Sequence, residues 1–345
     1  MKIGFYDPYL DSLGGGERYA LTLASHWSGE HQVALFWDDI SLREQATSRF
    51  NLDLARIQLV PNIFLGRSLI TKLWITRDYD LIFFVSDGSV PMSLAKYNIL
   101  HFQVPFPRVK TNLLKLSRFQ AIVCNSEFTK NNLDLRLKGK TTVIYPPVKS
   151  IPPNPKVKKE KLILSVGRFT GYHHAKKQEI LIDAFKKLST RLPGWKLVLA
   201  GGLMPDDRDH FRRLKELSKG YRISFVVNLS YSELVKLNQQ AAIYWHAAGF
   251  GEIDPRFREH FGISTVEAMS SGAVPIVFAG GGQTEIVKDC VNGYLWSSVP
   301  ELIGRTEALI QAEADFGRLS RSAIERASDF SENRFTAAFD NLLPG

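Results

Sequence analysis

Residues 259–272 read Glu259-His-Phe-Gly-Ile-Ser-Thr-Val-Glu267-Ala-Met-Ser-Ser-Gly272, and this stretch decides the fold of the chain. Ser264 and Glu267 have the spacing of a capping box, which predicts a helix that begins at Ser264 and ends before Gly272. The unpaired N–H groups at the start of such a helix form a favourable site for a phosphate. The two carboxylates that bracket this site can accept hydrogen bonds from sugar or ribose hydroxyls. A nucleotide sugar offers a diphosphate, a ribose and a hexose together.

The same stretch resembles the signature of the family 4 glycosyltransferases, which are nucleotide-sugar enzymes with the two-domain GT-B fold. That signature is a Glu, seven residues and a second Glu, with Phe-Gly just after the first. A capping box alone would make the second Glu a structural residue, but it does not account for the first. The positions that match are Glu259, Phe261, Gly262, Glu267, Ala268, Met269 and Gly272.

Short apolar segments alternate with amphipathic helical patterns along the whole chain. Strand-like runs lie, for example, near 2–6 and 81–85 in the first half and near 161–167 and 196–200 in the second. This alternation favours parallel sheets with crossover helices. We therefore predict an α/β protein with two doubly wound, Rossmann-like domains. The resemblance implies that the two domains form a GT-B fold and face a central cleft.

A proline-rich segment marks the expected domain boundary, because residues 145–155 contain five prolines and a lysine-rich stretch follows. The resemblance implies that the first domain lies on the acceptor side, that the second binds the nucleotide sugar, and that the last helix crosses back to the first. The expected divisions are 1–150 for the first domain, 151–160 for the linker, 161–328 for the second domain and 329–345 for the last helix.

Length and composition suit two soluble domains, since the chain has 345 residues, 44% of them hydrophobic and 23% charged. Cys124 and Cys290 lie in different halves and form neither a zinc nor a disulfide pattern, so we expect a reducing, cytoplasmic compartment. The first residues already form a strand-like segment, so we expect no signal peptide. The longest apolar runs are far shorter than a membrane span.

The net charge of +9 is the most informative feature of the composition. Residues 104–140 hold eight Lys or Arg against two acids. Such a patch can face nucleic acid, anionic lipid or an acidic substrate, and because no RNA motif or recognition helix accompanies it, nucleic acid is not an expected partner.

Residues 67–77 add a basic amphipathic helix. It could rest on an anionic membrane, which would make the protein peripheral at the inner membrane face. We prefer the commoner interpretation that its apolar side, formed by Leu69, Ile70, Leu73 and Trp74, faces a core.

A glycine-rich loop, Gly14-Gly15-Gly16, follows the first strand and opens the first helix, where glycines let the backbone approach a ligand closely. A Rossmann dinucleotide fingerprint is the rival interpretation. It fails because the third glycine of that pattern would fall at Tyr19. The family resemblance implies instead that these three glycines lie against the donor phosphates and the acceptor.

Arg168 ends the first strand of the second half, and Lys176-Lys177 opens the next helix. An arginine guanidinium and a lysine ammonium can bind a diphosphate from two directions. The alternative is that both are ordinary solvated cations of the surface, as most such residues are. The resemblance favours the diphosphate role, with Lys176 a better match than Lys177. His173-His174 lies between them, but adjacent histidines point apart and no third ligand is evident, so we expect no bound metal.

The remaining candidates come from the resemblance. It implies that Glu259 binds the sugar hydroxyls and places the anomeric carbon, that Glu267 holds the ribose, and that His101 ends a first-domain strand against the donor sugar. It also implies that a second glycine-rich loop lies near the donor sugar and phosphates. The other expected donor contacts are Phe261, Gly262, Ile263, Gly281, Gly282 and Glu285.

The resulting prediction is a retaining glycosyltransferase of polysaccharide or glycolipid biosynthesis. It moves a hexose from a UDP- or GDP-linked sugar to a glycan or lipid-linked acceptor, with no permanently bound cofactor. Catalytic roles fall to Glu259, His101, Arg168 and Lys176, and the two cations stabilise the leaving diphosphate. Two alternatives stay open: a non-catalytic nucleotide-sugar or glycan-binding protein, and an epimerase or phosphorylase on the same fold.

Overall fold

The computed structural model describes residues 1–172 and 175–344. These residues divide into two compact units, one formed by Met1–Pro147 together with the chain from Glu332 onward, and the other by Val148–Ser331. Each unit has its own parallel sheet flanked by helices, as the alternation of apolar segments predicts. The unit boundary at Pro147 falls inside the proline-rich segment, and the residues of the predicted linker belong to the second unit.

The first unit contains a seven-stranded parallel sheet in the order β3-β2-β1-β4-β5-β6-β7. The order of the strands reverses between β1 and β4, and in such sheets ligands bind outside the carboxyl ends of the strands at this point. The strands are β1 (Lys2–Tyr6), β2 (Gln32–Phe36), β3 (Gln58–Val60), β4 (Leu81–Val85), β5 (Tyr97–Phe102), β6 (Ala121–Cys124) and β7 (Thr141–Val143). The helices are α1 (Gly15–Trp27), α2 (Leu42–Phe50), α3 (Leu69–Thr76), α4 (Leu113–Leu116), α5 (Glu127–Asn131), α6 (Leu135–Lys138) and the final helix α14 (Glu332–Asp340).

The helices of this unit lie in two layers, each packed on its own hydrophobic core. One layer holds α1 and α2, and α14 packs there as well, because Phe335 and Phe339 join the core beneath α1. Phe339 lies edge-on to Trp27, whose indole N–H donates to Asp340 at 2.9 Å. The opposite layer holds α3 to α6 and covers a second core that includes Phe64 and Leu137.

Helix α3 corrects one expectation from the sequence. Three of the four apolar residues expected to face a core do not: Ile70 is 79% exposed, Trp74 is 59% exposed, and Leu69 is also exposed. Leu73 is half-buried, and Ile75 packs against the second core. Only Thr76 is buried in this helix, and its hydroxyl donates to the Lys72 carbonyl at 2.7 Å. The amphipathic pattern predicted the helix, but its apolar side points away from the unit that carries it.

The second unit contains a six-stranded parallel sheet in the order β10-β9-β8-β11-β12-β13, with the reversal between β8 and β11. The strands are β8 (Glu160–Val166), β9 (Lys196–Gly201), β10 (Ile223–Val227), β11 (Ala241–His246), β12 (Val274–Phe278) and β13 (Tyr294–Trp296). The helices are α7 (Gln178–Ser189), α8 (Arg208–Leu217), α9 (Tyr231–Gln240), α10 (Ile263–Ser270), α11 (Gln283–Ile286), α12 (Val299–Gln311) and α13 (Glu313–Ala327).

The start of α10 differs from the predicted capping box. The helix begins at Ile263, after Gly262 with φ +126°, and no side chain caps it. Ser264 lies inside the first turn, where its hydroxyl accepts a 2.8 Å hydrogen bond from Tyr244. The capping-box interpretation of Ser264 and Glu267 is therefore wrong, whereas Gly272, with φ +82°, does follow the end of the helix as predicted.

Candidate functional site

The carboxylate of Glu259 is the centre of the site in the second unit. Its Oε2 accepts from the Lys176 Nζ at 2.6 Å and lies 2.9 Å from the His246 Nε2. Strand β11 ends at His246, and Lys176 lies two residues before α7, which follows the neighbouring strand β8. The three residues therefore meet at the carboxyl edge of the sheet, where its strand order reverses.

Electrostatics keep Glu259 ionised. Burial would raise the pKa of this carboxyl, but the ammonium of Lys176 and the imidazole of His246 outweigh it and hold the pKa well below its usual range. The site thus presents a fixed negative charge, flanked by two donors. A carboxylate of this kind is a strong acceptor for hydroxyl groups.

The backbone of Glu259 is held by the second glycine-rich loop. The N–H of Gly282 donates to the Glu259 carbonyl at 2.8 Å. A Cβ on Gly281, which has φ +65°, would lie 2.0 Å from that same oxygen, and a Cβ on Gly282 would lie 2.5 Å from the His260 carbonyl. Glycines at these two positions let the loop lie directly against the backbone of residues 259–261. The direct effect of this close packing is to hold Glu259 in place.

Lys176 also depends on a glycine, because a Cβ on Gly167 would lie 2.6 Å from the lysine Cγ. The side chain of buried Gln178 then ties the start of α7 to the end of β8, donating to the Arg168 carbonyl at 3.0 Å. Arg168 itself is exposed. Lys176 and Arg168, the two cations predicted to bind the diphosphate, therefore lie at the same edge of the sheet. Lys176 pairs with Glu259, whereas Arg168 is open to solvent.

The other predicted donor contacts of this unit lie around the same edge. Lys177 adopts a left-handed backbone conformation and pairs with Glu252 at 2.6 Å, away from Glu259. Phe261 and Gly262 lead into α10, and the first N–H groups of that helix follow them. Glu267 is buried in α10, and Glu285 lies in the short helix α11, where its carbonyl accepts from Arg326 at 2.6 Å.

The first glycine-rich loop lies in the first unit. Gly14 precedes α1, and its N–H donates to the carboxylate of Glu17, which also accepts from Ser12 at 2.8 Å. Gly15 is the first residue of the helix. A Cβ on Gly16 would lie 1.8 Å from the Gln103 Oε1, so a side chain at this position would require the Gln103 amide to move.

His101 does not occupy the position expected for a residue that contacts a sugar. It lies inside β5 with its side chain fully buried, stacked on Tyr19 at a centroid distance of 4.0 Å. Burial lowers its pKa to about 3, so the ring is neutral. His101 is one residue from the end of β5, close to the predicted position, but its ring packs into the core of its own unit.

No group of three or more His, Cys, Asp or Glu that could hold a metal ion occurs among residues 1–172 and 175–344. His173 and His174 lie outside the described residues. Within the same ranges, no helix has the length and apolar character needed to cross a membrane.

Sequence reasoning missed His246 and Gln283. His246 ends the apolar run of β11, and a polar residue at the carboxyl end of a parallel strand is a usable signal. Gln283 is fully buried beside Gly262, where a Cβ on the glycine would lie 2.4 Å from the amide nitrogen. Nothing in the local sequence indicates this second contact.

Comparisons with known proteins identify the family and the fold of the chain. The family described as "Glycosyl transferases group 1" matches residues 149–327. The GDP-Man:Man(3)GlcNAc(2)-PP-Dol alpha-1,2-mannosyltransferase of Dictyostelium discoideum is 26% identical over 217 residues, which cover 57% of this chain and 41% of the relative. Its Xenopus laevis counterpart is 30% identical over 241 residues, covering 63% and 47%. The chain spans less than half the length of these two curated relatives.

Solved structures resemble the chain over almost its whole length. Anabaena Alr3699/HepE, in complex with UDP and glucose, has a TM-score of 0.74 at 19% identity and 99% coverage of both chains. A glycosyltransferase from Rickettsia africae ESF-5 has a TM-score of 0.79 at 16% identity, covering 99% of this chain and 97% of that one. At these identities the likeness shows a shared fold.

Proposed function

Because the chain belongs to the group 1 glycosyl transferases, we propose that it is a retaining glycosyltransferase that moves a hexose from a nucleoside-diphosphate sugar to a lipid-linked glycan. The predicted family and its GT-B fold are confirmed. The observation that carries the proposal is the ionised Glu259, held by Lys176 and His246 beside exposed Arg168. This arrangement offers an acceptor for sugar hydroxyls next to cations for a diphosphate.

The names of the relatives guide the choice of substrates. The relatives from Dictyostelium and Xenopus are named for GDP-mannose as donor and a dolichol-linked glycan as acceptor. We propose GDP-mannose as the first donor to test and a polyprenyl-linked glycan as the acceptor class. UDP-glucose is the second donor, on the strength of the shared fold alone.

Each residue has a distinct role in the proposed reaction. Glu259 binds the sugar hydroxyls and places the anomeric carbon, and Glu267 holds the ribose. Arg168, Lys176 and the start of α10 stabilise the negative charge that develops on the leaving diphosphate. Acceptor attack on the face of the departing phosphate lets that phosphate take the acceptor proton and retains the configuration. His101 takes no part, because its ring is buried.

Calorimetric titration with GDP, UDP, ADP and dTDP tests the donor site. We expect one nucleotide to bind, Arg168→Ala to weaken it at least tenfold, and the exposed control Arg212→Ala to leave it unchanged. Loss of turnover in Glu259→Gln with nucleotide binding retained supports a catalytic role for the carboxylate. If no nucleotide binds, the proposal of a glycosyltransferase is refuted in favour of the glycan-binding alternative.

We also propose that the first unit docks on an anionic membrane. The layer of α3 to α6, here called the basic layer, comprises residues 61–78 and 104–140. It carries eleven Lys or Arg against three acids, a net charge of +8 out of the chain's +9. Exposed apolar side chains stand on the same layer, namely Leu65, Leu69, Ile70, Trp74, Leu113, Leu114 and Leu135.

Charge and apolar exposure together fit a lipid surface better than either does alone. Each Lys or Arg near an anionic bilayer contributes about 1 kcal/mol, and each buried large apolar side chain about 1.5–3 kcal/mol. A peripheral position would bring the enzyme to an acceptor that cannot leave the membrane.

Vesicle sedimentation tests the docking. We expect binding to phosphatidylglycerol-containing vesicles at low salt, none to pure phosphatidylcholine, and loss of binding in Ile70→Ser/Trp74→Ser. Ile253→Ser is the matched control, because this side chain is 92% exposed but lies in the second unit. Equal binding by all three proteins would rule out the basic layer as the docking surface.

A further inference from the structure

His246 is a buried histidine in direct contact with the proposed catalytic carboxylate. Its side chain is 3% exposed, and β11, which it ends, lies next to β8 at the reversal of strand order. The Nε2 atom lies 2.9 Å from the Glu259 Oε2, which fixes the direction of the hydrogen bond: the nitrogen carries the proton and the carboxylate accepts.

The carboxylate receives its second donor on the same oxygen. The Lys176 Nζ lies 2.6 Å from Oε2, so neither hydrogen bond uses Oε1. Two donors on one oxygen fix the carboxylate plane and leave the other oxygen clear of both contacts. The backbone of Glu259 is already held by Gly282, so the side chain has little freedom left.

Lys176 can pair with either of two anions. In the proposed reaction it stabilises the leaving diphosphate, yet in the structure it pairs with Glu259. A diphosphate carries more charge than a carboxylate and draws the lysine toward itself. Glu259 then needs a donor that does not move, and a buried imidazole at the end of a central strand meets this need.

We propose that His246 is a positioning residue, which holds Glu259 in its sugar-binding orientation when Lys176 turns to the diphosphate. This inference rests on the proposed function, because it assigns the sugar to Glu259 and the diphosphate to Lys176. Its effect falls on recognition of the sugar and not on recognition of the nucleotide.

The ring geometry explains why a histidine suits this position. Its Nδ1 atom is buried and has no hydrogen-bond partner among residues 1–172 and 175–344. A glutamine places its amide nitrogen where Nε2 lies, whereas the asparagine amide is one bond too short to reach Glu259.

The test compares His246→Gln with His246→Asn, two amides of equal polarity and different reach. For each protein, calorimetry measures the Kd of GDP and GDP-mannose, and of UDP and UDP-glucose, and release of the nucleotide from the bound sugar donor is timed. We expect His246→Asn to bind the nucleotide within about twofold of wild type. Its affinity for the nucleotide sugar and its turnover fall by about tenfold to a hundredfold, the loss of one charge-assisted hydrogen bond. His246→Gln recovers most of both.

Each outcome bears on one proposal. Wild-type sugar recognition in His246→Asn overturns the positioning role. Equal loss of nucleotide and nucleotide sugar in both variants, with a lowered Tm, also overturns it, because His246 would then only support the fold. Absence of nucleotide binding in the wild type refutes the proposed function instead, so the two failures are distinguishable.

Discussion

Substitution of Gly281 by alanine tests how the second glycine-rich loop holds the acidic residue of the site. Gly281 is buried, has φ +65°, and would place a Cβ 2.0 Å from the Glu259 carbonyl oxygen. The neighbouring Gly282 N–H donates to that oxygen at 2.8 Å, so a shift of the loop that relieves the clash also breaks this hydrogen bond.

The cost of the substitution has three parts. A left-handed backbone costs a non-glycine residue about 1–2 kcal/mol, and a buried unsatisfied carbonyl or N–H costs about 1–3 kcal/mol. Alanine also lowers the conformational entropy of the unfolded chain, which stabilises the folded state by about 0.4–1 kcal/mol. We therefore expect Gly281→Ala to lower the free energy of unfolding by about 1–4.6 kcal/mol.

Gly220→Ala is the matched control. Gly220 lies in the same unit, has φ +82° and is exposed, and a Cβ there meets nothing within 4 Å. This substitution changes only the backbone and unfolded-chain contributions, so the expected loss in the free energy of unfolding is about 0–1.6 kcal/mol. Denaturant unfolding followed by tryptophan fluorescence measures both, because Trp195, Trp245 and Trp296 are buried in this unit.

Binding provides a second readout of the same variant. If the loop holds the Glu259 backbone, Gly281→Ala also weakens nucleotide-sugar binding, whereas Gly220→Ala does not. Equal stability of the two variants, with unchanged binding in both, would refute the reasoning, since the loop would then yield without disturbing Glu259.

Three further predictions concern charged groups. Burial and, less strongly, Glu17 raise the pKa of Asp7 to about 8. The contribution of Asp7 to stability is therefore full below pH 4 and is lost as the pH rises to 8. We expect Asp7→Asn to stabilise the protein more at pH 8.5 than at pH 5, as measured by urea unfolding. Lys176→Met removes the main opposite charge beside Glu259 and should raise the pKa of that carboxyl, measured by carbon NMR, while weakening GDP binding at least tenfold. The hydrogen bonds of Asp134, chiefly from its arginine partner, lower its pKa, so Asp134→Asn should destabilise the protein near neutral pH and progressively less as the pH falls below 4.

The sequence predicted the architecture because hydrophobic alternation is a local signal. Strand and helix patterns with the right spacing were enough to indicate two parallel sheets, and the motif around Glu259 indicated the family. The assigned roles of Glu259, Arg168 and Lys176 stay predictions. Their placement at one sheet edge follows from the rule that the carboxyl ends of parallel strands meet there.

The features that were missed depend on contacts between distant segments. Seventy residues of chain separate Lys176 from His246, and no local pattern indicates that both reach Glu259. The capping-box spacing of Ser264 suited a helix start, but Tyr244 engages the hydroxyl and Gly262 makes the turn without it. The apolar side of α3 was evident from its period, whereas what it faces depends on packing, and it faces outward.

The distribution of charge in the first unit discriminates between two interpretations of the basic residues, which the sequence alone did not distinguish. A basic first half suggested either an anionic lipid or an anionic acceptor. Acidic residues closely follow two strands at the carboxyl edge of the sheet, Asp38 after β2 and Asp87 after β4. Asp7 follows β1, but its raised pKa of about 8 keeps it largely protonated near pH 7. Burial and, less strongly, the neighbouring Asp87 and Asp7 raise the pKa of Tyr6 to about 12.

An acidic edge attracts hydroxyl groups and repels phosphates or carboxylates. The positive charge lies instead in the basic layer, on its helices and on the loops that connect them, where the exposed apolar side chains also stand. The net charge of the chain therefore supports attraction to a lipid surface and says nothing in favour of an anionic glycan. If the acceptor sugars contact this edge, we expect neutral hexoses whose hydroxyls donate to carboxylates. Competition by neutral oligosaccharides, and none by acidic ones of the same length, would test this expectation in a transfer assay.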